Sequence, residues 1–141
     1  MARIWRLQER FGSSGGSDMI GQGSSAETAL KFQVVLSYIL RGHRAAVNAV
    51  HFKDNIIATA SGDRTVRLWN MTSGATIRTI SALARGVACV NISGALVVTG
   101  SSDHVIKVFD LLSGEEVRTL RGHNDLSRTV HGDHAKIVSG S

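Results

Sequence analysis

Three residues within one stretch of the chain, His43, Thr59 and Asp63, bring together an imidazole, a hydroxyl and a carboxylate, with Trp69 close behind. Such groups could in principle run acyl transfer, the hydroxyl attacking and the imidazole taking its proton. The pattern argues against it. The hydroxyl belongs to a threonine in the middle of an apolar run, and nothing in the spacing suggests an oxyanion hole. Cys89 is the only cysteine and falls inside another apolar run with no base placed beside it, so it reads as a small core residue. His131-Gly132-Asp133-His134, with His123 and Asp125 nearby, invites a metal, but the spacing matches no recognised zinc pattern and suits a solvated turn. No catalytic residue, no metal site and no cofactor are therefore expected, and the chain is read as a non-enzyme.

The elements that position these residues follow from a repeat. Two steps of forty residues carry Gly42-His43 onto Gly122-His123 without a gap. Between them Val47/Val87, Val50/Val90, Thr59/Thr99, Ser61/Ser101, Asp63/Asp103 and Gly74/Gly114 are identical pairs. A period of about forty to forty-five residues with four strands per unit is the pattern of a β-propeller blade. Strands are expected at about 47–52, 56–61, 65–69 and 76–80, again at 87–92, 96–101, 105–109 and 116–120, and then at 127–131 and 136–140. Val47, Val50, Phe52, Ile57, Val66 and Leu68 supply the apolar or β-branched positions that half-buried strands require. The reading is thus all-β: a partial propeller of two full blades, 42–81 and 82–121, with an incomplete third at 122–141.

The second unit departs from the first. Leu83 stands where His43 does, Ala82 where Gly42 does, and Phe109 where Trp69 does, so Asp103 is expected to turn to local N–H groups.

Residues 1–33 are assigned to a flexible N-terminal segment and 34–141 to the repeat array. Ile4, Leu7 and Phe11 would share a helical face opposite Arg3, Arg6 and Arg10, which predicts a short helix over 1–11. A mitochondrial presequence would share that pattern, but Glu9 and the absence of further basic residues before Lys31 argue against it. Residues 12–25 are rich in Gly and Ser, as a linker is. Ser24 and Glu27 suggest a capping box with a helical turn or two at 25–32, followed by a strand at 34–40.

The formal charge is +5, and twelve of the sixteen basic residues are Arg. The excess is dispersed between strands, so nucleic acid is not expected as a partner. No apolar run approaches the length of about 18 residues that a membrane helix needs, so no membrane role is expected. The single cysteine and the absence of a signal-peptide core favour a cytoplasmic or nuclear location.

The Gly-His pair, the hydroxyl ten residues before the aromatic and the Asp six before it resemble the structural tetrad of WD-repeat proteins. The resemblance implies that His43, Thr59, Asp63 and Trp69 hydrogen-bond in series inside the first blade. A buried polar set of this kind is tolerable when every member is satisfied, and it then fixes one packing. The runs HRAAVN, ARGVAC, VVTGSSD, IKVFD, RGHNDL and KIVSGS are similar, more narrowly, to blades of the F-box/WD-repeat beta-transducin-repeat-containing proteins. Those proteins are ubiquitin-ligase substrate receptors that read phosphodegrons on top of the propeller. The resemblance implies phosphopeptide contacts at Arg44, Ser61 and Arg85, although no F-box is recognisable in residues 1–33. The expected function is a protein–protein interaction module with protein or phosphopeptide partners. The alternatives are a general scaffold of the G-protein-beta-like kind and a truncated fragment without function. An open stack of blades is also expected to self-associate through its exposed faces.

Overall fold

The computed structural model describes residues 1–10, 31–81, 83–133 and 135–141. They fall into two compact units, one of Arg3–Tyr38 and one of Met1–Ala2 with Ile39–Ser141. Among the described residues every regular element is a strand.

The smaller unit is built on a two-stranded sheet of β1 (Ala2–Arg10) and β2 (Lys31–Leu40). The helix expected over 1–11 is therefore a strand across Ala2–Arg10. Half-buried Ala2 and Ile4 alternate with exposed Arg3 and Trp5, which is the two-residue period of a strand. An isolated helix shorter than about 12 residues is marginal in water, because nucleation fixes several residues for one hydrogen bond. Pairing with β2 satisfies the same backbone at no such cost. The helical turn expected at 25–32 gives way to β2 from Lys31 onward. Its residues 25–30, and the Gly/Ser stretch 12–25, lie outside the described residues.

The larger unit repeats one sheet. β3 (Val47–Lys53), β4 (Ile56–Ser61), β5 (Val66–Asn70) and β6 (Thr76–Ile80) pair antiparallel in that order. β7 (Val87–Ser93), β8 (Leu96–Ser101), β9 (Ile106–Asp110) and β10 (Glu116–Leu120) do the same. β11 (Thr129–Gly132) and β12 (Ile137–Gly140) form an antiparallel pair. The registers repeat as well: Val50 faces Thr59 and Ile57 faces Trp69, as Val90 faces Thr99 and Val97 faces Phe109. Each first strand carries a bulge at the same place, between Val47 and Ala49 and between Val87 and Cys89. The turns are built alike too. Asn70 Oδ1 accepts the N–H groups of Thr72 and Ser73, and Asp110 Oδ1 those of Leu112 and Ser113. The chain then reverses through Gly74 and Gly114 at φ 70° and 73°, a left-handed conformation that suits a residue without Cβ.

The sheets pack face to face, with β7 against β3 and β4, and β11 against β7 and β8. Ala58, Ala60, Val66, Leu68 and Ile80 of the first sheet meet Val87, Val90, Ile92, Val97 and Phe109 of the second. Cys89, Val98, Ile106 and Val108 form the next layer with Val130. A sheet covered on both faces needs apolar or small residues at every position, and β4 and β8 are buried along nearly their whole lengths.

Volume is conserved where the two layers differ. Ala49 opposes Ala60 in the first sheet, while the matching pair in the second is Cys89 and Gly100. A methyl at Gly100 would lie 2.5 Å from Cys89 Sγ, so the larger thiol takes the space that the second alanine fills one blade earlier. Cys89 donates to the Ser127 carbonyl at 3.3 Å, and burial pushes its thiol pKa up.

Candidate interaction surface

The structure brings His43, Thr59, Asp63 and Trp69 together in the first sheet. The indole N–H of Trp69 donates to Thr59 Oγ1 at 2.9 Å, and Thr59 Oγ1 lies 2.7 Å from His43 Nε2. His43 Nδ1 lies 2.9 Å from Asp63 Oδ2. With the imidazole proton on Nδ1, donated to Asp63, Nε2 accepts the threonine O–H and Thr59 accepts the indole, so each group has a partner. The rings of His43 and Trp69 meet edge to face, 6.4 Å between centroids.

Asp63 is the anchor. Its Oδ2 takes the Arg44 backbone N–H at 2.9 Å as well as the imidazole, and its Oδ1 takes the Thr65 N–H at 3.0 Å and the Thr65 hydroxyl at 2.6 Å. Burial alone would raise its pKa. The hydrogen bonds from the Thr65 hydroxyl, the Arg44 N–H, His43 and the Thr65 N–H outweigh it and hold the carboxyl far below the usual carboxylate range. Thr65 was not singled out from the sequence, although an Asp followed two residues later by Thr in a turn is the pattern that would have pointed to it.

The second sheet replaces the network with packing. Leu83 and Phe109 are buried in the shared core. Thr99 Oγ1 donates to the Lys107 carbonyl at 3.1 Å, and Asp103 Oδ1 accepts the Val105 N–H at 3.3 Å, the local turn contact expected of it. In the third pair His123 Nε2 lies 2.7 Å from Ser139 Oγ.

The same turns display the arginines. Ser61 Oγ donates to the Ala45 carbonyl at 3.2 Å, and the Gly62 N–H donates to the Ala46 carbonyl at 3.0 Å. One blade on, Ser101 Oγ lies 3.5 Å from the Arg85 carbonyl, and the Ser102 N–H donates to the Gly86 carbonyl at 3.0 Å. Arg44 and Arg85 are exposed on loops that these bonds hold at the same end of neighbouring sheets. The Arg85 loop meets the turn after β4, which braces the Arg44 loop, through glycine: a methyl at Gly86 would lie 3.3 Å from Gly62 Cα, so a Cβ there would crowd the contact. Ser61, which the sequence suggested as a ligand contact, is fully buried, and its oxygen also accepts the Asp63 N–H at 3.1 Å. Its hydroxyl braces the loop that carries Arg44 against the turn after β4. In the third pair the matching loop carries Asn124 and Asp125.

Among the described residues no group of three or more His, Cys, Asp or Glu could hold a metal ion. His134 of the His-Gly-Asp-His run lies outside the described residues.

Comparison with known proteins places this architecture. The family model "WD domain, G-beta repeat" matches residues 34–70 and 74–110, together just over half of the chain. "Probable E3 ubiquitin ligase complex SCF subunit sconB" of Talaromyces marneffei is 40% identical over 43 residues, 30% of this chain and 6% of that protein. The protein of the same name from Arthroderma benhamiae is 40% identical over 53 residues, 38% of this chain and 8% of that one. "Mitochondrial division protein 1" of Pyricularia oryzae is 56% identical over 32 residues, 23% of this chain and 5% of that protein. The chain thus spans less than a tenth of the length of these relatives in the matched segments. Among solved structures, the computationally designed Ika4 protein superposes with a TM-score of 0.67 at 27% identity, covering 73% of this chain and 64% of that one. The chain belongs to the WD40-repeat family, whose blades serve as protein-interaction modules.

Proposed function

We propose that the chain recognises an anionic segment of a protein partner, of the phosphorylated-peptide class, through Arg44 and Arg85. The observation that carries this reading is the pair of exposed arginines, one on the loop of Gly86 and the other on the loop bonded to the Gly62 turn that Gly86 packs against. A guanidinium pairs bidentately with phosphate, and two from adjacent blades suit a peptide with two phosphates better than one with a single charge. Resemblance to ubiquitin-ligase receptors, and similarity to the sconB ubiquitin-ligase subunits, support the role of a substrate-binding part. Arg44→Glu together with Arg85→Glu is expected to weaken binding of a doubly phosphorylated peptide by about a hundredfold or more. Titration by anisotropy reads this, and the unphosphorylated peptide should not bind. Equal binding of both peptides would favour a general scaffold.

A second reading, self-association through the sheet faces, is favoured by a contrast between equivalent positions. Val90 and Ile92 are 6% and 4% exposed beneath the first sheet, whereas Val50 and Phe52 are 55% and 65% exposed. Val138 is 68% exposed, while its equivalent Val98 is fully buried. Concentration-dependent association is expected in sedimentation and should weaken in Phe52→Asp. A wild-type chain that stays monomeric at tens of micromolar would contradict it.

A further inference from the structure

One row of side chains along the first strands lies outside the surface described above. His51, Asn91 and His131 sit one period apart on β3, β7 and β11. β7 is the edge of its sheet, so alternate N–H groups along it have no partner in their own ladder. One of them, that of Ile92, donates across to the neighbouring sheet, to His51 Nδ1 at 3.0 Å. The other ring nitrogen, Nε2, lies 3.3 Å from Asn91 Nδ2, while Asn91 Oδ1 is buried without a partner.

These contacts fix the state of the ring. A nitrogen that accepts the Ile92 N–H carries no proton, so the proton of the neutral imidazole is on Nε2. Nε2–H then needs an acceptor. Rotating the Asn91 amide by half a turn about its terminal bond places Oδ1 opposite Nε2–H. The rotation turns the donor–donor contact with His51 into a hydrogen bond. His51 is then a neutral bridge that accepts from one residue of β7 and donates to the one before it.

We propose that His51 is a pH-sensitive latch between the first two blades, closed while its ring is neutral and opened when a proton occupies Nδ1 and displaces the Ile92 N–H. Protonation leaves two N–H groups pointing at each other across the seam, with the Ile92 donor stranded at the sheet edge. Among the described residues, β3 and β7 are also linked by the Asn48 Nδ2 donation to the Val87 carbonyl at 2.8 Å and by apolar contacts, which do not titrate. The charged and titratable groups around the ring are few. Lys53 lies on its own strand, β4 carries none, β7 carries only Cys89, and β11 contributes His131. Burial first, then the charges of His131 and Lys53, push the His51 pKa down. Because the folded value is the lower one, the latch contributes fully above the unfolded histidine value of about 6.5 and is lost as pH falls below it.

The chain itself supplies the control, since the second blade carries Asn at this position. In His51→Asn the amide oxygen can take the place of Nδ1 as acceptor for Ile92 but cannot titrate. Amide exchange of Ile92, corrected for intrinsic rate, is expected to lose about tenfold of its protection in the wild type between about pH 7.5 and about pH 5. It should be unchanged in His51→Asn over the same range. A wild type with no such loss, or a His51→Asn chain with the same loss, would overturn the latch. His131→Asn should retain the response with its midpoint moved to higher pH; if it abolishes the response, the sensor is His131 and the assignment to His51 fails. The measurement uses no ligand, so it stands or falls separately from phosphopeptide binding.

Discussion

Trp69→Ala is expected to destabilise the chain by about 3–5 kcal/mol, read from the urea midpoint. Two losses add. The indole is buried, and its removal leaves a void in the first sheet's own packing. The Thr59 hydroxyl also loses the N–H that it accepts at 2.9 Å. Trp69→Phe separates these terms, because a ring remains while the donor is gone, and its cost should be about 1–2 kcal/mol. The second blade shows how a phenylalanine is accommodated: Phe109 is buried in the shared core with Leu83 in the histidine position. His43→Leu added to Trp69→Phe should therefore cost less than the sum of the two single changes. Costs that simply add would show that the four side chains do not act as one network.

Asp63→Ala is expected to cost about 3 kcal/mol, because it strands four donors at once. Those are the His43 ring N–H, the Arg44 N–H and both donors of Thr65. The effect has a pH signature. The folded carboxyl is held far below its ordinary pKa, so its contribution is fully present above the unfolded value of about 4 and is lost as pH falls below that. The stability gap between wild type and Asp63→Ala should be constant at neutral pH and narrow under acid. The carboxyls of Asp110, Glu116 and Asp133 are also shifted down, but they are common to both chains and cancel in the difference. A gap that widens under acid would contradict the assignment of Asp63 as the carboxylate anchor.

Much of this architecture was legible because its causes are local and repeated. The forty-residue step fixes which residues are equivalent, and alternation within each run fixes the strands. Both hold for β3 to β10, whose observed bounds match the expected ones or differ from them by one residue. The first eleven residues were misread because Ile4, Leu7 and Arg3, Arg6, Arg10 satisfy a helical spacing as well as a strand. The choice is made by β2, more than twenty residues away in sequence. The sequence leaves Ser61 open between two roles. A turn hydroxyl can face a ligand or its own backbone, and burial against the Ala45 carbonyl settles the matter in three dimensions only. His51 could have been found from the same step of forty, since His51, Asn91 and His131 align, but polarity on an inner strand carries no sign of which partner it meets.

In the proposed function, neighbouring blades present Arg44 and Arg85 together to a phosphorylated partner. Amide chemical-shift mapping on titration with a doubly phosphorylated peptide tests it most directly. The account predicts the largest changes at Arg44, Gly62, Arg85 and Gly86, absent with the unphosphorylated peptide. Changes centred on Val50 and Phe52 instead, or no saturable change at all, would contradict it.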